Sequence, residues 1–208
     1  MYDVLCFGDS NTWGYSPSTQ QRFPRDIRWT GVLQAELGGD FHVIEEGLNG
    51  RTTVWEDSLE GDKMGKRHLP VILESQAPLD LVVVMLGTND LKKRFSAHAW
   101  DIAQGAGVLV DIIAASKTGK AGGAPPVLLI APPPLGKLSV WEGMFEGGAE
   151  KSRQLSAHYR EVARLRGCHF LDGAPIIRSS DLDGIHFEEK EHRALGQAVA
   201  RELKKILR

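Results

Sequence analysis

Six apolar residues in a row, Leu81-Val82-Val83-Val84-Met85-Leu86, run directly into Gly87-Thr88-Asn89-Asp90. A short run rich in β-branched side chains and closed by turn formers reads as a strand. With no polar position on either face, it is a strand covered on both sides, as in a parallel sheet flanked by helices. The rest of the chain repeats this unit. Strand-like segments occupy 4–7, 41–45, 79–86, 126–131 and 169–171, each bounded by Gly, Pro, Asp or Asn. Helical periodicity fills the intervals at 28–37, 66–76, 97–115 and 150–166, the last carrying Leu155, Tyr159, Val162, Ala163 and Leu165 on its apolar face. A final amphipathic helix holds Leu195, Val199, Leu203, Ile206 and Leu207. Such alternation predicts an α/β fold with a central parallel sheet of about five strands and helices on both faces.

The chain has 208 residues, 42% of them hydrophobic and 25% charged, which suits one domain spanning 1–208. A net charge of −2 argues against nucleic acid as a partner, because phosphate binders carry clustered excess Lys and Arg. The apolar stretches are far shorter than the ~20 residues of a membrane span, so no membrane partner is expected. Met1-Tyr2-Asp3-Val4-Leu5 lacks the basic-then-apolar pattern of a secretory signal, and a cytoplasmic location is expected. Cys6 and Cys168 then read as reduced, buried thiols. Neither Cys-x-x-Cys nor His-Glu-x-x-His occurs, so neither metal nor cofactor is expected.

The first strand leads straight into Phe7-Gly8-Asp9-Ser10-Asn11-Thr12. Active sites of parallel sheets gather at the carboxyl ends of strands. A serine placed there presents its hydroxyl at the rim and its N–H near a helix start, which suits a nucleophile and an oxyanion donor together. Alone, the same residues would make an ordinary helix cap. Asp183-Gly184-Ile185-His186 supplies the base and its orienting carboxylate on one turn before the last helix. His158 and His192 lie on helical patterns and read as solvated. Asn89, after the third strand, can aim a neutral amide donor at the same locus. After the second strand, Gly47-Leu48-Asn49-Gly50-Arg51-Thr52-Thr53 offers two glycines, either of which lets a backbone N–H approach a substrate. Four weak signals thus fall on four loops, with a candidate for every role in acyl transfer.

Gly8-Asp9-Ser10, the block-two glycine, Gly87-Thr88-Asn89-Asp90 and Asp183-x-x-His186, in this order, resemble the SGNH (GDSL-type) hydrolase family. The resemblance implies a flavodoxin-like three-layer α/β/α sandwich. It also implies Ser10 as nucleophile, Asp183 and His186 as the rest of a triad, and an oxyanion hole of the Ser10 N–H, the Gly50 N–H and the Asn89 side chain. Gly50 is followed by Arg51 rather than the family's more usual Asp, and Gly47 competes with Gly50 for its role. Further stretches, among them Arg28-Trp29-Thr30-Gly31, Phe145-Glu146-Gly147-Gly148 and Asp183-Gly184-Ile185-His186-Phe187, are similar to the arylesterase and acyltransferase branch. That branch implies a small-molecule ester substrate with a short acyl or an aryl group, cleaved through an acyl-enzyme. It also implies acyl transfer to alcohols or peroxide and assembly as a homo-oligomer. Asn11, Trp13, Trp141 and Phe145 are the expected pocket residues, although Leu138 to Phe145 reads equally as a small satellite core. The alternatives on the same fold are a carbohydrate deacetylase and a thioesterase or lysophospholipase. A non-catalytic flavodoxin-like binding module is the rival from another class.

Overall fold

A computed structural model gives the structure of the chain and describes residues 1–207. Five strands form one sheet: β1 (Tyr2–Gly8), β2 (Phe41–Gly47), β3 (Leu81–Met85), β4 (Val127–Ala131) and β5 (His169–Asp172). All neighbours pair in parallel, in the order β2-β1-β3-β4-β5. This is the flavodoxin-like order, whose direction of travel reverses between β1 and β3 and leaves a crevice above their carboxyl ends. The helices are α1 (Ser10–Trp13), α2 (Trp29–Leu37), α3 (Gly65–Ser75), α4 (Ala99–Ala115), α5 (Gly148–Ser152), α6 (Leu155–Arg166) and α7 (Glu189–Ile206).

All five residues of β3 are buried, and successive side chains leave opposite faces. Val82 and Val84 join the cluster that contains Leu109 and Ile113 of α4 and Tyr159 and Val162 of α6. Leu81, Val83 and Met85 join Trp29 and Leu33 of α2 and Leu195, Val199 and Leu203 of α7. Each such side chain contributes about 1.5–3 kcal/mol by leaving water. The third strand therefore ties both helical layers to the sheet. Among the described residues no helix is long and apolar enough to cross a membrane.

Three elements differ from expectation. The helix predicted over 150–166 is two helices, α5 and α6, parted at Arg153 and Gln154, and Leu165 is 61% exposed instead of packed. The four-residue α1 is too short for any periodic signal. His192, expected at the surface, is fully buried. The cause lies at the neighbouring helix. Arg28 begins α2 without a side-chain cap, and the His192 Nδ1 accepts the orphan Trp29 N–H at 3.2 Å. This bond puts the ring proton on Nε2, which has no partner among the described residues.

Burial pushes the His192 pKa down from 6.5 to about 4, with the His186 and Arg28 charges acting in the same direction. Between those values the unfolded chain binds a proton that the folded chain refuses. Stability is therefore full above the upper value and falls as the pH drops through the window, at about 1.4 kcal/mol per pH unit where the slope is steepest. His192→Gln keeps an acceptor for the Trp29 N–H but cannot protonate. Urea unfolding at stepped pH is expected to show a shallower acid slope, by up to one proton, in that variant.

Candidate active site

At the end of β1, Asp9 turns the chain into α1 and caps it, its Oδ1 accepting the Asn11 N–H at 2.9 Å. The cap fixes Ser10 as the first helical residue, with its side chain at the rim. Burial raises the Asp9 carboxyl to about 6, against the Asn11 N–H bond and the nearby His186 and Arg51. Gly14, with φ 90°, ends the helix after a single turn.

The second component arrives on the loop after β5. His186 Nε2 lies 2.9 Å from Ser10 Oγ, and His186 Nδ1 lies 2.6 Å from Asp183 Oδ2. The other Asp183 oxygen accepts the N–H groups of Ile185 and His186, each at 2.9 Å. Burial alone would raise this carboxyl, but the His186 ring and the two backbone donors outweigh it and hold Asp183 below the usual range. The turn needs Gly184, which adopts φ 78° and whose added Cβ would lie 2.6 Å from the Lys137 carbonyl. Tyr15 covers the imidazole with ring centroids 4.2 Å apart.

The candidate donors for an oxyanion lie on the loops after β1, β2 and β3. Leu48 to Arg51 form a β-turn, closed by the Arg51 N–H to the Leu48 carbonyl at 3.0 Å, with Gly50 at φ 82° in its third position. Asn89 Nδ2 spends one hydrogen on the Arg51 carbonyl at 3.2 Å, which orients the amide, and its second hydrogen meets no acceptor among the described residues. The N–H groups of Ser10 and Gly50 find no acceptor among the described residues. Gly47, the competing glycine, does not reach the cavity. Its Cα packs on α1, and an added Cβ would lie 2.1 Å from the Trp13 nitrogen.

Arg51 holds this corner together. Its buried Nη1 donates to the Gly8 carbonyl at 2.9 Å and to the Glu46 carbonyl, and its guanidinium lies 4.2 Å from the Phe7 ring centroid. Burial lowers its pKa to about 10, opposed by Glu46 and Asp9. Asp90, beside Asn89, binds the N–H and hydroxyl of Thr53 and is raised to about 6 by burial.

Ser10, His186, Gly50 and Asn89 line a cavity of about 160 Å³. Trp141, Met144, Phe145 and Ile185 form an apolar wall, and Asn49, Glu60, Lys63 and Lys92 a polar one. Trp141 and Phe145, two of the expected pocket residues, are therefore at the site, and Phe145 is at the same time part of the main core. Asn11 and Trp13 are not. Asn11 is buried beneath the site, and Trp13 points away, with Arg22 over its ring.

The polar wall escaped the sequence reading because its partners are distant in the chain. Lys92, 1% exposed, bonds Asp57 at 3.1 Å and Glu60 at 2.6 Å, and Arg94 bonds the same two carboxylates at 2.8 and 2.7 Å. These pairs fasten the segment after Gly50 to the segment after Asn89. Only Asn49, beside Gly50 in a turn-forming run, carried a local signal.

The GDSL-like lipase/acylhydrolase family profile matches residues 6–194. Among solved structures, the chain is similar to the native aryl esterase of M. smegmatis, with 42% identity, 99% of each chain covered and a TM-score of 0.94. It is equally similar to Est24, a carbohydrate acetylesterase from Sinorhizobium meliloti, with 42% identity, a TM-score of 0.95, and 99% of this chain and 100% of that one covered. No curated protein sequence matches the chain.

Two substitutions test the arrangement. Ser10→Ala is expected to abolish the stoichiometric labelling that an organophosphonate gives with the wild type, read by intact mass. Asn89→Ala is expected to lower kcat by about 10²–10³ while the melting temperature stays near that of the wild type.

Proposed function

The chain belongs to the GDSL-like lipase/acylhydrolase family, and from that premise we propose a serine esterase that cleaves small carboxylic esters through an acyl-enzyme on Ser10. One observation carries the proposal. The Asp183–His186–Ser10 relay, with contacts of 2.6 and 2.9 Å, opens onto a cavity with three oxyanion-donor candidates on its rim.

His186 Nε2 takes the Ser10 proton as Oγ attacks the ester carbonyl. Asp183, ionised at neutral pH, stabilises the imidazolium and keeps its Nδ1 proton in place. The charge that develops on the carbonyl oxygen is met by the Ser10 and Gly50 N–H groups and the second hydrogen of Asn89. His186 then protonates the departing alcohol. Water repeats the sequence on the acyl-enzyme and restores the hydroxyl.

The cavity sets the substrate class. Its volume of about 160 Å³ compares with the ~150 Å³ of an apolar protein cavity that holds benzene. A short acyl chain or one aromatic ring fits inside it, and a fatty acyl chain would extend beyond it into solvent. The wall of Trp141, Met144, Phe145 and Ile185 supports such a group and disfavours water around the acyl-enzyme. That supports transfer of the acyl group to an alcohol or peroxide. A second reading, deacetylation of a carbohydrate, draws on the opposite wall, where Asn49, Glu60 and Lys63 offer donors and acceptors to a hydroxylated alcohol. It also draws on the acetylesterase named among the similar structures.

The single sheet shared by all five strands supports one catalytic domain over 1–208. Self-association is the remaining part of the proposal, supported by exposed apolar side chains at Leu59, Val140 and Leu182.

With p-nitrophenyl acetate, butyrate and octanoate, kcat/KM is expected to fall steeply at octanoate. Trp141→Ala, which widens the apolar wall, is expected to raise the octanoate-to-acetate ratio. Acetylated xylan assayed beside the aryl esters ranks the two substrate readings, and no turnover of any of these esters would sink both.

A further inference from the structure

We propose that Asn11 is a positioning residue that grips the loop carrying His186 and sets its distance from Ser10, an inference that rests on the esterase mechanism above. Asn11 is 2% exposed and immediately follows Ser10. Its Nδ2 donates to the Ile185 carbonyl at 3.3 Å, and its Oδ1 accepts the Phe187 N–H at 3.2 Å. The two bonds bracket His186 on either side. One neighbour is an acceptor and the other a donor, so the carboxamide has only one orientation that satisfies both.

The grip answers a need that Asp183 cannot meet. Asp183 orients the imidazole, but it sits three residues from His186 on the same turn and moves with it. Nothing in that local pair fixes the turn relative to α1. The Ser180 N–H to the His186 carbonyl, at 2.8 Å, is likewise local, and the Gly136 N–H to the Gly184 carbonyl, also 2.8 Å, ties the turn to a different loop. Besides the Ser10–His186 bond itself, the Asn11 pair and the Tyr15 ring on the imidazole cross from the nucleophile's own segment to the base. Asn11 is one peptide unit from the attacking oxygen, so its side chain works as a short, stiff strut across 174 to 176 residues of sequence. The family name spells leucine after Gly-Asp-Ser. A leucine would fill a similar volume here but would leave the Ile185 carbonyl and Phe187 N–H buried without partners.

The test compares Asn11→Leu and Asn11→Asp with the wild type, with activity expressed per mole of Ser10 titrated by an organophosphonate. A misplacement of about 1 Å at the reacting groups costs about 10²-fold. Asn11→Leu is therefore expected to lose about that much in kcat with KM within about twofold. Asn11→Asp keeps the acceptor for Phe187 but loses the donor to Ile185 while its carboxyl is ionised. Crowded by Asp9 and Asp183, the introduced carboxyl protonates as the pH falls, and its O–H can then serve Ile185. The ratio of variant to wild-type kcat is therefore expected to rise toward acid, because the other ionisable groups facing this position, Asp9, Asp183, His186 and His192, are present in both proteins. Asn11→Leu within twofold of wild-type kcat, or an Asn11→Asp ratio that stays flat with pH, would overturn the proposal. If Asn11→Leu does not fold, the pH ratio decides alone. Wild-type protein that the reagent leaves unlabelled at Ser10 would instead overturn the esterase assignment on which the inference stands.

Discussion

β1 and β3 end level with one another, because Gly8 of one pairs with Met85 of the other. Ser10 and Asn89 therefore leave the sheet side by side, on the two strands that flank the reversal in strand order. β2 ends level as well, with Gly47 opposite Gly8, and delivers the Gly50 turn to the same rim. No local preference in any of these segments brings them together. The parallel register does, and the register in turn depends on Val82 and Val84 facing one helical layer while Leu81, Val83 and Met85 face the other. A slip of one residue would turn each of these side chains to the wrong face.

The rim is built against the preference of its own ionisable groups. Asp9, Arg51, Asp90 and Lys92 are each less than a tenth exposed, and burial disfavours the charged form of Asp9, Arg51 and Asp90. Such groups are tolerated where fixed donors and acceptors replace water. Asp9 has the Asn11 N–H, Arg51 two strand-end carbonyls, Asp90 the donors of Thr53, and Lys92 two carboxylates. These partners lie on the strand ends, the first helix and the loops that carry the site and its wall. The polar network costs desolvation, and it holds the loops with a directionality that apolar packing lacks.

The fold was legible because its evidence is local. Leu81 to Leu86 displays its two-sided burial within six residues, and α4 and α7 display theirs through periodicity. The break at Arg153 was not legible, since α5 and α6 continue one another's pattern. At the candidate site the residue types and their order were readable: Ser10 behind a strand, Asp183 three residues before His186, Asn89 and Gly50 after strands. Which of Gly47 and Gly50 lines the cavity was not. It turns on which Cα packs against α1, a tertiary fact. The same holds for Asn11 and His192, whose partners Ile185, Phe187 and Trp29 lie more than 160 residues away in sequence.

The Ser10 hydroxyl and the His186 imidazole meet across 176 residues of chain. In a flexible polypeptide such a meeting is opposed by the entropy of closing the loop between them. The sheet register and the packed helices meet that cost once, for the whole fold. In the unfolded chain Ser10 is an ordinary serine, and its contact with the imidazole lasts only as long as the folded state does.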